Sequence, residues 1–214
     1  GLVMENPEAV KAVSMALLRG EAVGVHDPFG LLQGALPEDR VQPLDPGARP
    51  LEGGPAAGVW VDDICVDLPA PILVLRPASL AAGLGCNRGT PAAEMRELLA
   101  GALDSHGLAA ASVGVLASVD LKADEAGLGA LARQLGLPLR LFSRHDLNRV
   151  GEVPNPSAAA RRHIGVHSVC EAAALLATDN GTLVVTKQKS RNATVAIARR
   201  SFSSWASARG TPTT

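Results

Sequence analysis

The most chemically suggestive stretch of this chain is Gly83-Leu-Gly-Cys-Asn-Arg-Gly-Thr-Pro91, which joins an apolar run, Leu80 to Leu84, to a helical pattern. The apolar run predicts a strand, Thr90 a helix N-cap and Pro91 a first-turn residue. A glycine-rich junction of this kind brings backbone N–H groups close to an anion, and the N-terminus of the following helix favours negative charge. Arg88 adds a planar fork that matches a carboxylate or phosphate. The spacing is G-x-G-x-x-x-G, so it is not the dinucleotide fingerprint, and no Lys-Ser/Thr pair follows to make a phosphate-binding loop of the nucleotide-hydrolase type. Cys86 sits inside this turn. A helix N-terminus and Arg88 beside it are expected to lower a thiol pKa, although no base and orienting partner for a nucleophile stand out in the sequence.

Two further polar clusters follow predicted strands. Ser118-Val-Asp-Leu-Lys-Ala-Asp-Glu125 comes after the apolar run 113–119, and Thr186-Lys-Gln-Lys-Ser-Arg-Asn-Ala-Thr194 after the run 182–186. In open α/β sheets ligands bind at the carboxyl ends of the strands. The first two clusters fall there by construction, and the third does so if its strand runs parallel to theirs. Lys187, Lys189 and Arg191 alternate, so an extended chain turns them to one side, where an anion would relieve their mutual repulsion. A solvated edge hairpin is the alternative reading. Asp120 and Lys122 share a side on the same logic. Asp120 is a candidate to deliver or accept a proton, or else an N-cap, and Glu125 serves the helix start.

The candidate anion contacts are therefore Gly85, Arg88, Gly89 and Thr90 in the first cluster, and Ser118 and Lys122 in the second. The third cluster adds Lys187, Lys189, Ser190, Asn192 and Thr194. Asp120 and Cys86 are the candidate reactive groups. His163-x-x-x-His167-x-x-Cys170 has the outline of a metal site, but Gly165 lies between the histidines and there is no C-x-x-C pair, so no metal site is expected. Cys170, on a helix of alanine and leucine, reads as a core residue. Arg161, Arg162 and His163 form a short basic knot, either a further anion contact or a solvated helix face.

Composition narrows the field. The chain has 214 residues, 47% hydrophobic and 19% charged, with no tyrosine, three phenylalanines and two tryptophans. Its core must be aliphatic, and it lacks the aromatic platforms on which single-stranded nucleic acid stacks. A net charge of −1 supplies no bulk field for nucleic acid or membrane, so anion recognition must be local. Three scattered cysteines argue against a disulfide framework and for a reducing cytoplasm. No signal peptide or apolar run of membrane-spanning length is found. Glycine in place of an initiating methionine points to a trimmed chain, with part of the natural protein absent.

The elements that must position these clusters follow from periodicity. A helix from Asn6-Pro7 to Leu18, capped by Asn6 and stopped by Gly20, precedes a strand 22–26. Residues 27–55 read as loop with one short strand, and 58–61 and 72–75 as short strands. Residues 1–77 are thus expected to be a small α/β module or connector without a strong core of its own. From Ser79 strands (80–84, 113–119, 139–142) alternate with helices (91–105, 125–135, and short ones after Ser143, Ser157 and Ser168). Ser168-Val-Cys-Glu171 reads as a capping box. Strands 182–186 and 193–199, joined by a polar turn, form an antiparallel edge hairpin. The fold class is α/β: a mostly parallel sheet with helices on both faces in three layers. Residues 201–214 are expected to fray.

Taken in order, Gly83-Leu-Gly-Cys-Asn-Arg-Gly-Thr90, Ala117-Ser-Val-Asp-Leu-Lys-Ala-Asp-Glu125, Val153-Pro-Asn-Pro-Ser157, Arg162-His-Ile-Gly-Val166, Ser168-Val-Cys-Glu-Ala-Ala-Ala174 and Lys187-Gln-Lys-Ser190 with Asn192-Ala-Thr-Val-Ala196 closely resemble the C-terminal domain of the CbiG cobalamin-biosynthesis proteins and the related CobE proteins. The resemblance covers residues 78–200. Residues 8–77, with Leu17-Leu-Arg-Gly-Glu-Ala-Val-Gly24 and Leu73-Val-Leu-Arg-Pro77, resemble the central region of CbiG. It implies cobalt-precorrin-5A hydrolase activity in the anaerobic pathway: the ring-A δ-lactone of a cobalt macrocycle opens and a two-carbon unit leaves as acetaldehyde, giving cobalt-precorrin-5B. The cobalt would travel with the substrate, so no cofactor of the protein's own is implied. Other enzymes of the pathway and a second copy of the chain are the implied protein partners. Gly85–Thr90 is the candidate oxyanion or carboxylate cradle, and Asp120 the candidate for positioning water. The N-terminal CbiG signature of the Gly-His and Gly-Gly-Ala-Asn type is absent from this sequence. The alternative implied is therefore a CobE-like corrinoid-binding module without hydrolysis.

Overall fold

A computed structural model describes residues 1–44, 55, 57–68, 71–150 and 168–201. The chain divides into two compact units, 1–78 with 107–112, and 79–106 with 113–214.

The first unit is a five-stranded sheet in the order β1-β5-β4-β2-β3. Its strands are β1 (Leu2–Met4), β2 (Val23–His26), β3 (Val41–Pro43), β4 (Ala57–Val61) and β5 (Ile72–Pro77). β2 to β5 are parallel, and β1 adds antiparallel to β5. Helix α1 (Val10–Leu18), preceded by a 3₁₀ turn at Pro7–Ala9, lays Val13 and Ala16 on Val23, Val59, Val61 and Leu73. The unit is a small α/β module, and it differs from expectation only in its core: β-branched and leucine residues from short strands distant in sequence combine into a cluster of their own. Asn6 does not cap the helix. Its side chain instead donates to the Ile72 carbonyl (2.8 Å) and accepts from the Val74 N–H (2.7 Å), pinning the helix start to β5.

The second unit is a five-stranded sheet in the order β8-β7-β6-β10-β9. It comprises β6 (Leu80–Cys86), β7 (Val113–Val119), β8 (Leu139–Phe142), β9 (Thr182–Lys189) and β10 (Ala193–Arg199). β6, β7 and β8 are parallel; β10 is antiparallel to both β6 and β9. Helices α2 (Ala92–Asp104) and α3 (Ala126–Leu135) pack on each other over one face. On the other face lie α4 (Arg144–Arg149) and α5 (Val169–Ala177), against Ala81, Ala117 and Val119. The expected three-layer α/β arrangement with an outer hairpin is thus found. Ser143 caps α4, accepting from the Asp146 N–H at 3.1 Å. The helix expected after Ser157, the Pro154-Asn155-Pro156 loop, the Arg161–His163 knot and His167 lie outside the described residues.

α5 approaches the sheet so closely that a Cβ on Gly83 would overlap the Cys170 carbonyl oxygen. Small residues on both sides, Ala81 and Ala117 against Ala172 and Ala173, permit this contact.

Candidate functional site

Because β9 is antiparallel to β10 and β10 to β6, β9 runs in the same direction as β6. The condition set by strand direction is therefore met, and all three polar clusters gather at one end of the sheet. They border a cleft of about 770 Å³. Cys86 and Arg88 line it after β6, Lys122 after β7, and Lys187, Lys189 and Arg191 along β9 and its turn. No carboxylate lines it among the described residues. Lys187 and Lys189 share a side of β9, as alternation requires; Arg191 follows in the hairpin turn. Arg88 and Arg191 are exposed, and Arg88 faces Asp124 at 3.6 Å.

Some predicted site residues are consumed by the fold instead. Ser118 is fully buried and donates to the Leu84 carbonyl at 2.8 Å, tying β7 to β6. Thr90 does not cap α2; Pro91 takes that position, and the Thr90 hydroxyl turns back to the Asn87 carbonyl at 2.8 Å. Gly89 adopts φ +75, which favours glycine, and its N–H donates to Glu125 at 2.7 Å. Glu125 therefore does more than start α3: its carboxylate also faces Lys122 at 3.6 Å. Gly85 lines the cleft, and its carbonyl accepts from the Thr194 hydroxyl at 3.4 Å.

Residues 120–122 form a 3₁₀ turn rather than extended chain. Asp120 and Lys122 consequently do not share a side. Lys122 reaches the cleft, whereas Asp120 is exposed and is not among the lining residues.

Of the thiols, Cys170 is buried as expected of a core residue, whereas Cys86 differs from expectation. Cys86 lines the cleft, but burial pushes its pKa up, outweighing the attraction of Lys122. Cys170 lines the same cleft beside Ser168, with Oγ to Sγ 3.7 Å, and burial raises it too. Burial outweighs the pull of Lys122 at Cys86 and the hydrogen bonds of Thr194 and Ser168 at Cys170, so neutral thiols face the cleft at neutral pH. The capping box fails for a related reason. The Ser168 hydroxyl makes no cap bond, and Glu171, fully buried, reaches across to accept from the Lys187 N–H at 3.1 Å.

One residue the sequence reading missed organises the third cluster. Glu94, on α2, accepts from the Ser190 hydroxyl (2.6 Å), the Asn192 N–H (2.7 Å) and the Asn192 side chain (3.1 Å). Ser190 and Asn192 thus line the cleft while being held from behind. These bonds keep the Glu94 carboxyl below its ordinary range, the Ser190 hydroxyl contributing most. Since the folded-state value is depressed, the hold is present above the unfolded carboxylate range and is lost as pH falls through the folded value. Glu94→Ala is expected to speed amide exchange at Asn192 by on the order of tenfold, with the sheet amides unchanged. Two-dimensional NMR of the exchanging chain checks this. No signal near Glu94 in sequence marks it; only the 189–193 turn meeting α2 does.

The described residues contain no group of three or more histidine, cysteine or carboxylate side chains placed to hold a metal ion. No described helix is long and apolar enough to cross a membrane.

Two family models match the chain: the cobalamin biosynthesis central region over residues 1–77, and the cobalamin synthesis G C-terminus over residues 80–198. A cobalt-precorrin-5A hydrolase from Priestia megaterium is 36% identical over 126 residues, covering 59% of this chain and 33% of its own length. Protein CobE from Sinorhizobium sp is 36% identical over 123 residues, 56% of this chain and 80% of that protein. The crystal structure of CobE, a protein from the cobalamin (vitamin B12) biosynthetic pathway, superimposes with a TM-score of 0.54 at 38% identity, covering 62% of this chain and 94% of that one. The chain thus spans about a third of the hydrolase it matches and nearly all of the CobE fold. It belongs to the CbiG family of cobalamin-biosynthesis proteins, as the central region followed by the C-terminal domain.

Proposed function

We propose that the cleft at the end of the second sheet holds a cobalt corrinoid intermediate, and that the chain serves cobalt-precorrin-5A hydrolysis. The observation that carries this reading is the lining: Arg88, Lys122, Lys187, Lys189 and Arg191, with no described carboxylate, in a chain of net charge −1. A wide, flat macrocycle fringed with carboxylates needs several separate cations around one opening rather than a single deep pocket. The cobalt belongs to the substrate.

In the reaction, water adds to the ring-A lactone carbonyl and the acyl C–O bond breaks to leave a carboxylate and an alcohol. The alcohol then loses its proton as the C–C bond to the ring breaks, the macrocycle keeping the electron pair and taking up a proton, and the two-carbon unit departs as acetaldehyde. The tetrahedral oxyanion formed on the way would be met by the cleft lysines, because the Asn87, Gly89 and Thr90 N–H groups of the Gly85–Thr90 turn are engaged by the Asn192 carbonyl, Glu125 and the Asn87 carbonyl. Asp120, exposed just outside the lining, remains the proposed residue for positioning water from the cleft's edge. Cys86 presents a neutral thiol, so its proposed part is contact with the macrocycle rather than nucleophilic attack.

A second reading is favoured by one observation: the described lining holds neither a carboxylate nor an imidazole to move a proton. On that reading the chain is a CobE-like platform that binds without turnover. One experiment separates the two. The purified chain is mixed anaerobically with cobalt-precorrin-5A; binding is followed by the ring's absorbance and acetaldehyde by a coupled reductase. Binding with acetaldehyde release supports the hydrolase reading, binding alone the platform reading, and no binding rejects both.

A further inference from the structure

A second constellation lies wholly in the first unit. β2 and β4 are adjacent parallel strands, and their last paired residues are His26 and Trp60. The two rings stack with centroids 3.7 Å apart and planes within 8°. Asp62 follows β4 directly, and its Oδ2 lies 2.9 Å from His26 Nε2. Its other oxygen, Oδ1, accepts from the Asp63 N–H at 2.7 Å and the Ile64 N–H at 3.1 Å. The Asp62 carbonyl is held in turn by the buried Arg76 guanidinium at 2.9 Å. The carboxylate is therefore fixed in position by the backbone on one side and, among the described residues, meets the imidazole on the other.

This arrangement determines the tautomer. With the Asp62 carboxylate as the acceptor of this contact, His26 Nε2 is the donor, which in a neutral ring leaves the lone pair on Nδ1. No described residue donates to Nδ1, and the His26 side chain is 25% exposed against 10% for Asp62. A second unmet demand lies in the stacked ring. The Trp60 indole N–H is buried, on a residue only 2% exposed, and finds no acceptor among the described residues. Leaving a buried N–H unpaired is costly, so an acceptor is expected beside it. One end of the pair thus seeks a donor and the other an acceptor. A hydroxyl oxygen is both at once; a carboxylate or phosphate would answer only the indole and would be repelled by Asp62.

We propose that His26, Asp62 and Trp60 form a hydroxyl-binding, proton-accepting site at the carboxyl end of the first sheet. The bound group is a water or an alcohol. Its O–H bond breaks as the proton moves to His26 Nδ1, the Asp62 carboxylate balances the imidazolium that forms, and the proton later returns to oxygen. Trp60 holds the imidazole plane and donates to the same oxygen.

The test is long-range proton–nitrogen NMR on the full chain, with glycerol as the alcohol probe. The expected result is His26 protonated at Nε2 and not at Nδ1. The Trp60 indole signal, assigned by its loss in Trp60→Phe, should show exchange with a bound water or shift together with Nδ1 as glycerol is added. A water signal that glycerol does not displace identifies water as the occupant, and saturable displacement identifies an alcohol. An imidazole protonated at Nδ1, or an indole in contact with neither, overturns the proposal. Asp62→Asn should abolish the Nε2 preference; a wild-type tautomer in that variant also overturns it. Should Asp62→Asn not fold, carbethoxylation of the wild-type chain decides: His26 must react, as the exposed His145 does, and a His26 that stays unmodified rules out an open Nδ1.

Discussion

Replacing Lys187 and Lys189 together by alanine is expected to weaken binding of cobalt-precorrin-5A by about tenfold to a hundredfold. The range follows from about 0.7–1.4 kcal/mol for each of the two charge-assisted contacts removed, a value between those of exposed and buried charged hydrogen bonds. Both lysines stand on one side of β9 and line the cleft, and β9 keeps its ladder to β10 through backbone groups that the substitution leaves intact. The difference should shrink as salt is raised, because screening weakens the wild-type interactions first: the two proteins converge toward the same affinity near molar ionic strength. Absorbance titrations at low and high salt measure it. An unchanged affinity at low salt would return the lysines to the role of a solvated edge that discourages strand pairing.

Gly83→Ala is expected to cost about 3 kcal/mol or more, a large fraction of the stability typical of a domain this size. A methyl group there would overlap the Cys170 carbonyl oxygen and crowd the Ala174 backbone nitrogen. Neither is a side chain that can swing aside, so α5 must lift from β6. That lift would carry Cys170 out of the cleft wall and detach Glu171 from the Lys187 N–H. Denaturant unfolding followed by circular dichroism measures the destabilisation. Gly101→Ala on the same unit is the control: a Cβ there meets nothing, and the helix should tolerate or gain from it. Equal stability of the two variants would show that α5 can move off β6 at little cost.

Strand and helix periodicity made most of the second unit legible. The apolar runs at 80–84, 113–119 and 139–142 are strands, and the helices between them begin and end within about two residues of their predicted limits. The carboxyl ends of parallel strands lie together by topology, so the clusters after β6 and β7 had to meet. The third cluster joined them only because β10 inserts antiparallel between β6 and β9, a pairing written in no single segment.

What the sequence could not decide is which polar residues face outward. Ser118, Gly89 and Thr90 look like ligand contacts in a string of letters, yet the packed turn needs their donors for its own carbonyls and for Glu125. Glu94 shows the reverse case, an ordinary helix carboxylate that becomes the anchor of the 189–193 turn. The pull on Cys86 likewise depended on burial, which has no local code. His26, Trp60 and Asp62 are separated in sequence and carry no motif; only β2 lying beside β4 stacks the two rings. Strand and helix periodicity was set by neighbours along the chain and could be read directly, whereas the caps expected at Asn6, Thr90 and Ser168 gave way to partners elsewhere in the fold. Hydrogen-bond satisfaction and desolvation depend on neighbours in space, and those the tertiary structure alone decided.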